Sequence, residues 1–155
     1  MIEFRINEHQ AADDGARRAL ACALSAIERL SFSDPWSADA FLESMQNSVI
    51  CYFTAYEDSA LIAYAIFAKI APEAELLNLA VHPDKRKCGL ADTLLERAFS
   101  KLREDGVSEL FLEVRESNTP ARTLYAKKGF VPIARRKQYY RYPTEDAIVM
   151  MSHLD

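Results

Sequence analysis

The chain has 155 residues, half of them hydrophobic and 27% charged, with a net charge of −4 at pH 7. That length suits one domain with a sizeable core, and the acidic balance argues against a general nucleic-acid binder, which carries a basic excess. No apolar run approaches the ~20 residues of a membrane span. The start, Met1-Ile2-Glu3-Phe4-Arg5, reads as a strand and lacks the form of a signal peptide. Cys22, Cys51 and Cys88 show no metal-ligand spacing and read as free thiols of a reducing cytoplasm.

Ile2, Phe4 and Ile6 alternate with polar residues, which predicts a half-buried first strand. Asp13 and Asp14 can cap a helix running to about Leu30, with Leu20, Leu24 and Ile27 inward. Ser31 to Trp36 connects it to a short helix that Ser37 can cap, carrying Phe41, Leu42 and Met45. Val49 to Tyr56 and Leu61 to Ile70 are strand-like runs separated by Glu57-Asp58-Ser59, a hairpin pattern. Ala71-Pro72-Glu73 turns the chain into an apolar run, Leu76 to Val81. That run ends at His82-Pro83, because proline cannot continue a strand ladder.

A basic loop, Asp84 to Cys88, follows. Then Leu90, Leu94, Ala98 and Leu102 recur at i, i+4 spacing on one helical face, with Gly106 as a C-terminal stop. Strand, basic loop with glycine, helix: this arrangement aims unpaired N–H groups and the positive end of a helix dipole at one point. Such a point suits a phosphate or pyrophosphate. Gly89 lets the backbone come close to the ligand, and Ala91 keeps the first helical turn low. In isolation, Arg86-Lys87-Cys88-Gly89-Leu90-Ala91 also describes an ordinary basic loop capping a surface helix.

Glu109 to Val114 makes a further strand, with Leu110 and Leu112 on one face and Phe111 and Glu113 on the other. Thr119 to Lys128 is a short helix opened by Asn118, with Pro120 near its first turn and Gly129 at its end. Val131 to Tyr140 and Ala147 to His153 supply two last strands, joined by a loop around Pro143. No repeat, low-complexity segment or linker interrupts the pattern, which is that of one α/β domain over residues 1–155 on a mixed sheet.

The loop pattern R-x-x-G-x-A resembles the acetyl-CoA signature of the GNAT superfamily of N-acetyltransferases. The likeness extends through Asn78-Leu79-Ala80-Val81, Leu112-Glu113-Val114-Arg115-Glu116-Ser117-Asn118 and Leu124-Tyr125-Ala126-Lys127-Lys128-Gly129-Phe130. It continues in Arg135-Arg136-Lys137-Gln138-Tyr139-Tyr140 and Glu145-Asp146-Ala147, and reaches back to Pro35-Trp36-Ser37. Within the superfamily it is similar to the bacterial enzymes that acetylate the N-terminal alanine of a ribosomal protein. The resemblance covers the chain from about Trp36 to Met150. It implies a splayed, mixed, mostly antiparallel sheet flanked by helices. Its V-shaped gap, between the Leu76–Val81 and Glu109–Val114 strands, would admit the pantetheine arm of acetyl-CoA.

The resemblance also implies roles. Leu79, Ala80 and Val81 would pair their backbone groups with pantetheine while their side chains enter the core, and one amide there could polarise the thioester carbonyl. Arg86, Lys87, Cys88, Gly89, Leu90 and Ala91 would wrap the pyrophosphate. Asp92 departs from the pattern, because relatives place neutral or basic residues just after this loop. Glu113 occupies the position of the general base. An α-amine with a pKa near ~7.7–8.0 is partly protonated at neutral pH and must lose that proton before it attacks a thioester. Tyr125 would donate a proton to the departing thiolate, and packing of its helix is an equal alternative. Asn118 would cap its helix and touch the cofactor. Tyr139, Tyr140, Tyr142, Glu145 and Trp36 would line the acceptor groove, although clustered tyrosines equally describe an exposed edge and Trp36 equally a packing residue. His9, His82 and His153 are scattered and carry no assignment, and no metal site is expected.

The expectation is therefore a cytoplasmic Nα-acetyltransferase that works by direct transfer in a ternary complex, as a monomer or weak homodimer, without nucleic acid or membrane. By resemblance its acceptor is the N-terminal alanine of a small-subunit ribosomal protein. Acetylation of a lysine side chain or small amine, or acetyl-CoA binding without catalysis, are the alternatives, because fold does not fix substrate.

Overall fold

The computed structural model describes residues 1–155. Its strands are β1 (Ile2–Ile6), β2 (Ile50–Glu57), β3 (Ala60–Ile70), β4 (Glu73–Val81), β5 (Glu109–Arg115), β6 (Val131–Tyr140) and β7 (Glu145–His153). Its helices are α1 (Asp14–Ser31), α2 (Ala38–Ser44), α3 (Leu90–Glu104) and α4 (Thr119–Lys127). The strands form one sheet in the order β1-β2-β3-β4-β5-β7-β6. Only β4 and β5 run parallel; every other neighbouring pair is antiparallel.

Local chemistry sets the element ends. The Asp13 carboxylate accepts from the Ala16 N–H at 2.8 Å and the Ser37 hydroxyl from the Ala40 N–H at 3.1 Å, each satisfying a donor the helix cannot. Asp58 and Ser59 both take positive φ, 51° and 67°, the two-residue turn whose twist matches a hairpin. Gly106 follows α3 at φ 88°, a left-handed stop.

Strand alternation then divides the core in two. On one face α1 and α2 bury Leu20, Leu24, Ile27 and Phe41 against Tyr52, Tyr64, Ile66 and Ala80. On the other, the Leu90–Leu94–Ala98–Leu102 stripe of α3 and Tyr125 of α4 pack on Phe53, Phe67, Leu76, Leu110 and Leu112. The expected half-buried first strand forms, but only Phe4 reaches the core, with Arg97 stacked on its ring at 4.1 Å. As an edge strand paired only with β2, β1 leaves Ile2 and Ile6 exposed.

The site is created by a failure of pairing. The parallel ladder joins Glu73–Leu76 of β4 to Glu109–Leu112 of β5 and goes no further. At the same point the β3–β4 register shifts: Ile66 faces Asn78 and Phe67 faces Leu76, leaving Leu77 as an extra residue. Such a bulge bends its strand. Beyond it β4 and β5 diverge.

Candidate active site

The divergence opens a cleft of about 890 Å³, walled by Leu76–Leu79 on one side and Leu112–Arg115 on the other. Its β4 wall exposes backbone. The His82 N–H donates to the Ile62 carbonyl at 2.7 Å, so alternation turns the backbone groups of Ala80 and Asn78 toward β3 as well. The N–H and C=O groups of Leu79 and Val81 therefore face the cleft. The Ala80 side chain is buried as expected, but its backbone belongs to the β3–β4 ladder and does not face the cleft. One open carbonyl, that of Val81, is taken by Arg86 Nε at 2.9 Å.

At one end of the cleft lies the loop before α3. A short 3-10 turn, Pro83–Lys85, is capped by His82 Nδ1, which accepts from the Asp84 N–H at 3.1 Å. Lys87 and Gly89 then take left-handed φ of 63° and 80°. A side chain at position 89 would meet no other atom of the chain within 4 Å, so within the chain itself it is the left-handed φ that calls for glycine. Gly89 offers no cap, and Thr93 is the first residue whose N–H bonds back, to the Gly89 carbonyl at 3.0 Å. The N–H groups of Leu90, Ala91 and Asp92 are left without helical partners, a ready site for a pyrophosphate. The Arg86 guanidinium also donates to Ser31 Oγ at 3.1 Å, tying the loop to the end of α1. Lys87 is exposed. The Cys88 thiol is exposed and donates to the Lys85 carbonyl. Asp92 is paired with Lys128.

At the divergence itself, Glu113 projects from β5 on the face opposite the buried Leu112 and lines the cleft. Its Oε1 accepts from Arg136 at 2.9 Å; its Oε2 is shielded from solvent and has no partner. Tyr125, from α4, also lines the cleft and packs edge-on against Phe130, ring centroids 5.8 Å apart. Burial first, and the neighbouring Tyr140 second, push its phenol well above the usual tyrosine range, so it stays protonated at neutral pH. Asn118 does double duty in position: its Oδ1 accepts from the Ala121 N–H at 3.3 Å to cap α4, and it lines the cleft.

The acceptor-side residues divide. Trp36, Tyr139, Tyr140 and Glu145 line the cleft; Tyr142, 68% exposed, is not part of its wall. Tyr142 stands at the tip of the β6–β7 connection with φ 57°, which turns it outward. Tyr140 lies under the Arg115 guanidinium at 4.5 Å, and burial followed by the Glu113 charge pushes it up to about 12. The Glu145 carboxylate is already engaged by Arg115 at 3.3 Å and the Ser117 N–H at 2.6 Å.

Among the lining residues to which the sequence assigned no role, Glu28 is the most deeply engaged. Glu28 is 1% exposed and accepts from the Tyr64 hydroxyl at 2.6 Å, the Trp36 N–H at 3.0 Å and the Asn78 side-chain amide. It thereby ties α1, the α1–α2 connection, β3 and the bulged part of β4. Its signal was a carboxylate at the position that continues the Leu20–Leu24 stripe, where an apolar residue is the rule.

The chain matches the Acetyltransferase (GNAT) family over residues 9–130. It is 38% identical over 131 residues to the [ribosomal protein bS18]-alanine N-acetyltransferase of Haemophilus influenzae, covering 83% of this chain and 88% of that one. To the Escherichia coli K12 enzyme of the same description it is 39% identical over 128 residues, covering 80% and 84%. The crystal structure of the ribosomal-protein-S18-alanine N-acetyltransferase from Escherichia coli superposes with a TM-score of 0.86 at 32% identity, across 100% of this chain and 95% of that one. The resemblance read from the loop and strand motifs thus extends to the whole chain and to its three-dimensional form: the protein belongs to the GNAT family and is an N-acetyltransferase that uses acetyl-CoA.

Proposed function

We propose that the chain acetylates the N-terminal α-amine of a protein in the cytoplasm, with the N-terminal alanine of the small-subunit ribosomal protein bS18 as its acceptor. The names of the relatives support that acceptor. The observation that carries the chemistry is the splayed gap: the open backbone groups of Leu79 and the N–H of Val81 on one edge, and the free Oε2 of Glu113 on the other.

Acetyl-CoA brings the reactive acetyl thioester. The amides of Leu90, Ala91 and Asp92, with the loop that Arg86 fastens, would hold its pyrophosphate, and Leu79 and Val81 its pantetheine arm. Lys87 would add charge there, and Cys88, Gly89 and Ala91 would contribute main chain only. Glu113 accepts the proton of the incoming ammonium, directly or through a water, which frees the amine for attack. Tyr125 then protonates the departing sulfur. Of the three cysteines, Cys51 is buried, and Cys22 and Cys88 are exposed outside the cleft wall, so no acetyl-enzyme is needed. Trp36, Tyr139 and Tyr140 would hold the first residues of the acceptor.

A turnover comparison of short peptides differing only in their first two residues, set beside free lysine and small amines, tests the reading. Preference for an N-terminal alanine peptide is expected. Equal turnover of free lysine would overturn it.

A further inference from the structure

We propose that Arg136, on the outer edge strand, is a positioning residue: it fixes the Glu113 carboxylate so that one oxygen alone is left to take the proton of the acceptor amine. The proposal rests on the reading of Glu113 as the base.

A glutamate on a strand has several rotamers and two equivalent oxygens. Here the symmetry is broken. Arg136 takes Oε1 at 2.9 Å, and Oε2 is left buried without a donor. An unpartnered buried acceptor is costly and persists where a ligand or reacting group completes it. The Glu113 side chain is 20% exposed and Arg136 55%, so the arginine reaches in from solvent to a carboxylate that is mostly enclosed.

The local backbone is shaped for this reach. In β6 the register with β7 breaks between Arg136, opposite Ala147, and Tyr140, opposite Glu145. Residues 137–139 lie outside the ladder, with Gln138 at φ 51° and its N–H donating to Asp146 Oδ1 at 2.9 Å. Three positions apart on a regular strand, Arg136 and Tyr139 would point to opposite faces. The irregularity puts them together, and the guanidinium lies 4.4 Å from the centre of the Tyr139 ring. The preceding Arg135 pairs with Glu116 at 2.7 Å and Asp146 at 2.9 Å, which anchors the strand behind Arg136.

Two further titratable groups face this pair. Glu75, on β4, has its pKa raised by burial and then by the nearby Glu113 charge, with Arg136 opposing. Tyr139 is raised by burial and then by Glu113. Arg136 is bound to Glu113, and its charge also opposes the upward shift of Glu75. An ion pair this exposed adds little to stability, so its effect belongs to the geometry of the base.

The test is a square of variants: wild type, Arg136→Met, Glu113→Gln, and both together, each assayed with an N-terminal peptide and acetyl-CoA. Arg136→Met should lower kcat roughly 10- to 100-fold, the range for a misplaced reacting group. The KM for acetyl-CoA and the melting temperature should not move, and Arg136→Lys should recover part of the loss. In the Glu113→Gln background Arg136→Met should cost nothing more. The same loss in both backgrounds, or no loss in either, would overturn the positioning role while leaving Glu113 as the base. A Glu113→Gln enzyme as active as wild type would instead remove the reading on which the role depends.

Discussion

The carboxylate of Asp92, in the first turn of α3, is held by the Lys128 ammonium at the end of α4. The Lys128 side chain is 9% exposed and also reaches Glu96 at 2.7 Å. Hydrogen bonding to Lys128 keeps Asp92 below the usual carboxylate range. An acidic residue beside the open amides of α3 would otherwise repel a phosphate there. The clamp offsets that charge and joins the two helices that border the cofactor end of the cleft.

Removing the clamp should expose the charge. Lys128→Met is expected to raise the KM for acetyl-CoA about 1.5- to fivefold, the ~0.2–1 kcal/mol of an ion pair at the protein surface. Asp92→Asn in the same chain should restore it. Steady-state kinetics at low ionic strength, where screening is weak, are the measurement. An unchanged KM would place Asp92 outside the reach of the phosphates.

Tyr125→Phe deletes one oxygen and keeps the ring on Phe130. If the phenol protonates the leaving sulfur, turnover should fall about 10²-fold, with the KM for acetyl-CoA and the melting temperature preserved. Matching losses of stability and activity would make Tyr125 a packing residue.

Stability should depend on pH through His9. Its ring is buried, 4.8 Å from that of Tyr52, and Nδ1 has no partner. Burial first and the Arg17 charge second push its pKa below the ordinary 6.5. Below about pH 6.5 the unfolded chain thus binds a proton that the folded chain refuses. The contribution is present above that value and is lost as pH falls through the folded pKa. Carboxylates held low, Asp105 by Lys69 and Lys101 and Asp146 by the Gln138 N–H and then Arg135, lose theirs only at more acid pH. Thermal melts near pH 7.5 and 5.5, a window set by the histidine's ordinary value, should show a smaller fall for His9→Phe than for wild type. An equal fall would acquit His9.

What the sequence made legible was local. A cap needs an oxygen three residues before its donor, so Asp13, Ser37 and Asn118 could be named from residue type and position. The α3 stripe was equally readable, since it follows from helical periodicity. The glycine before it was read for close approach to a ligand, and its left-handed φ of 80° emerges only with the fold. The resemblance supplied the splay, which no periodicity contains: it comes from an extra residue, Leu77, in a register between strands. Glu28 was missed because its partners, Trp36, Tyr64 and Asn78, are separated in sequence and meet only after folding. The Arg136–Glu113 pair needs β6 to bulge, which a run of basic and aromatic residues does not announce. Tyr142, grouped with its neighbours by the resemblance, is turned away from them by the backbone.

The central claim is that Glu113, at the mouth of the splayed gap, takes the proton from an acceptor amine. Glu113→Gln keeps the shape and removes the base, so kcat measured with saturating acetyl-CoA and an N-terminal alanine peptide tests it most directly. A fall of about 10²- to 10⁴-fold at neutral pH, partly recovered at alkaline pH where the amine is already free, is the expected result. A variant that matches wild type at neutral pH would contradict the account.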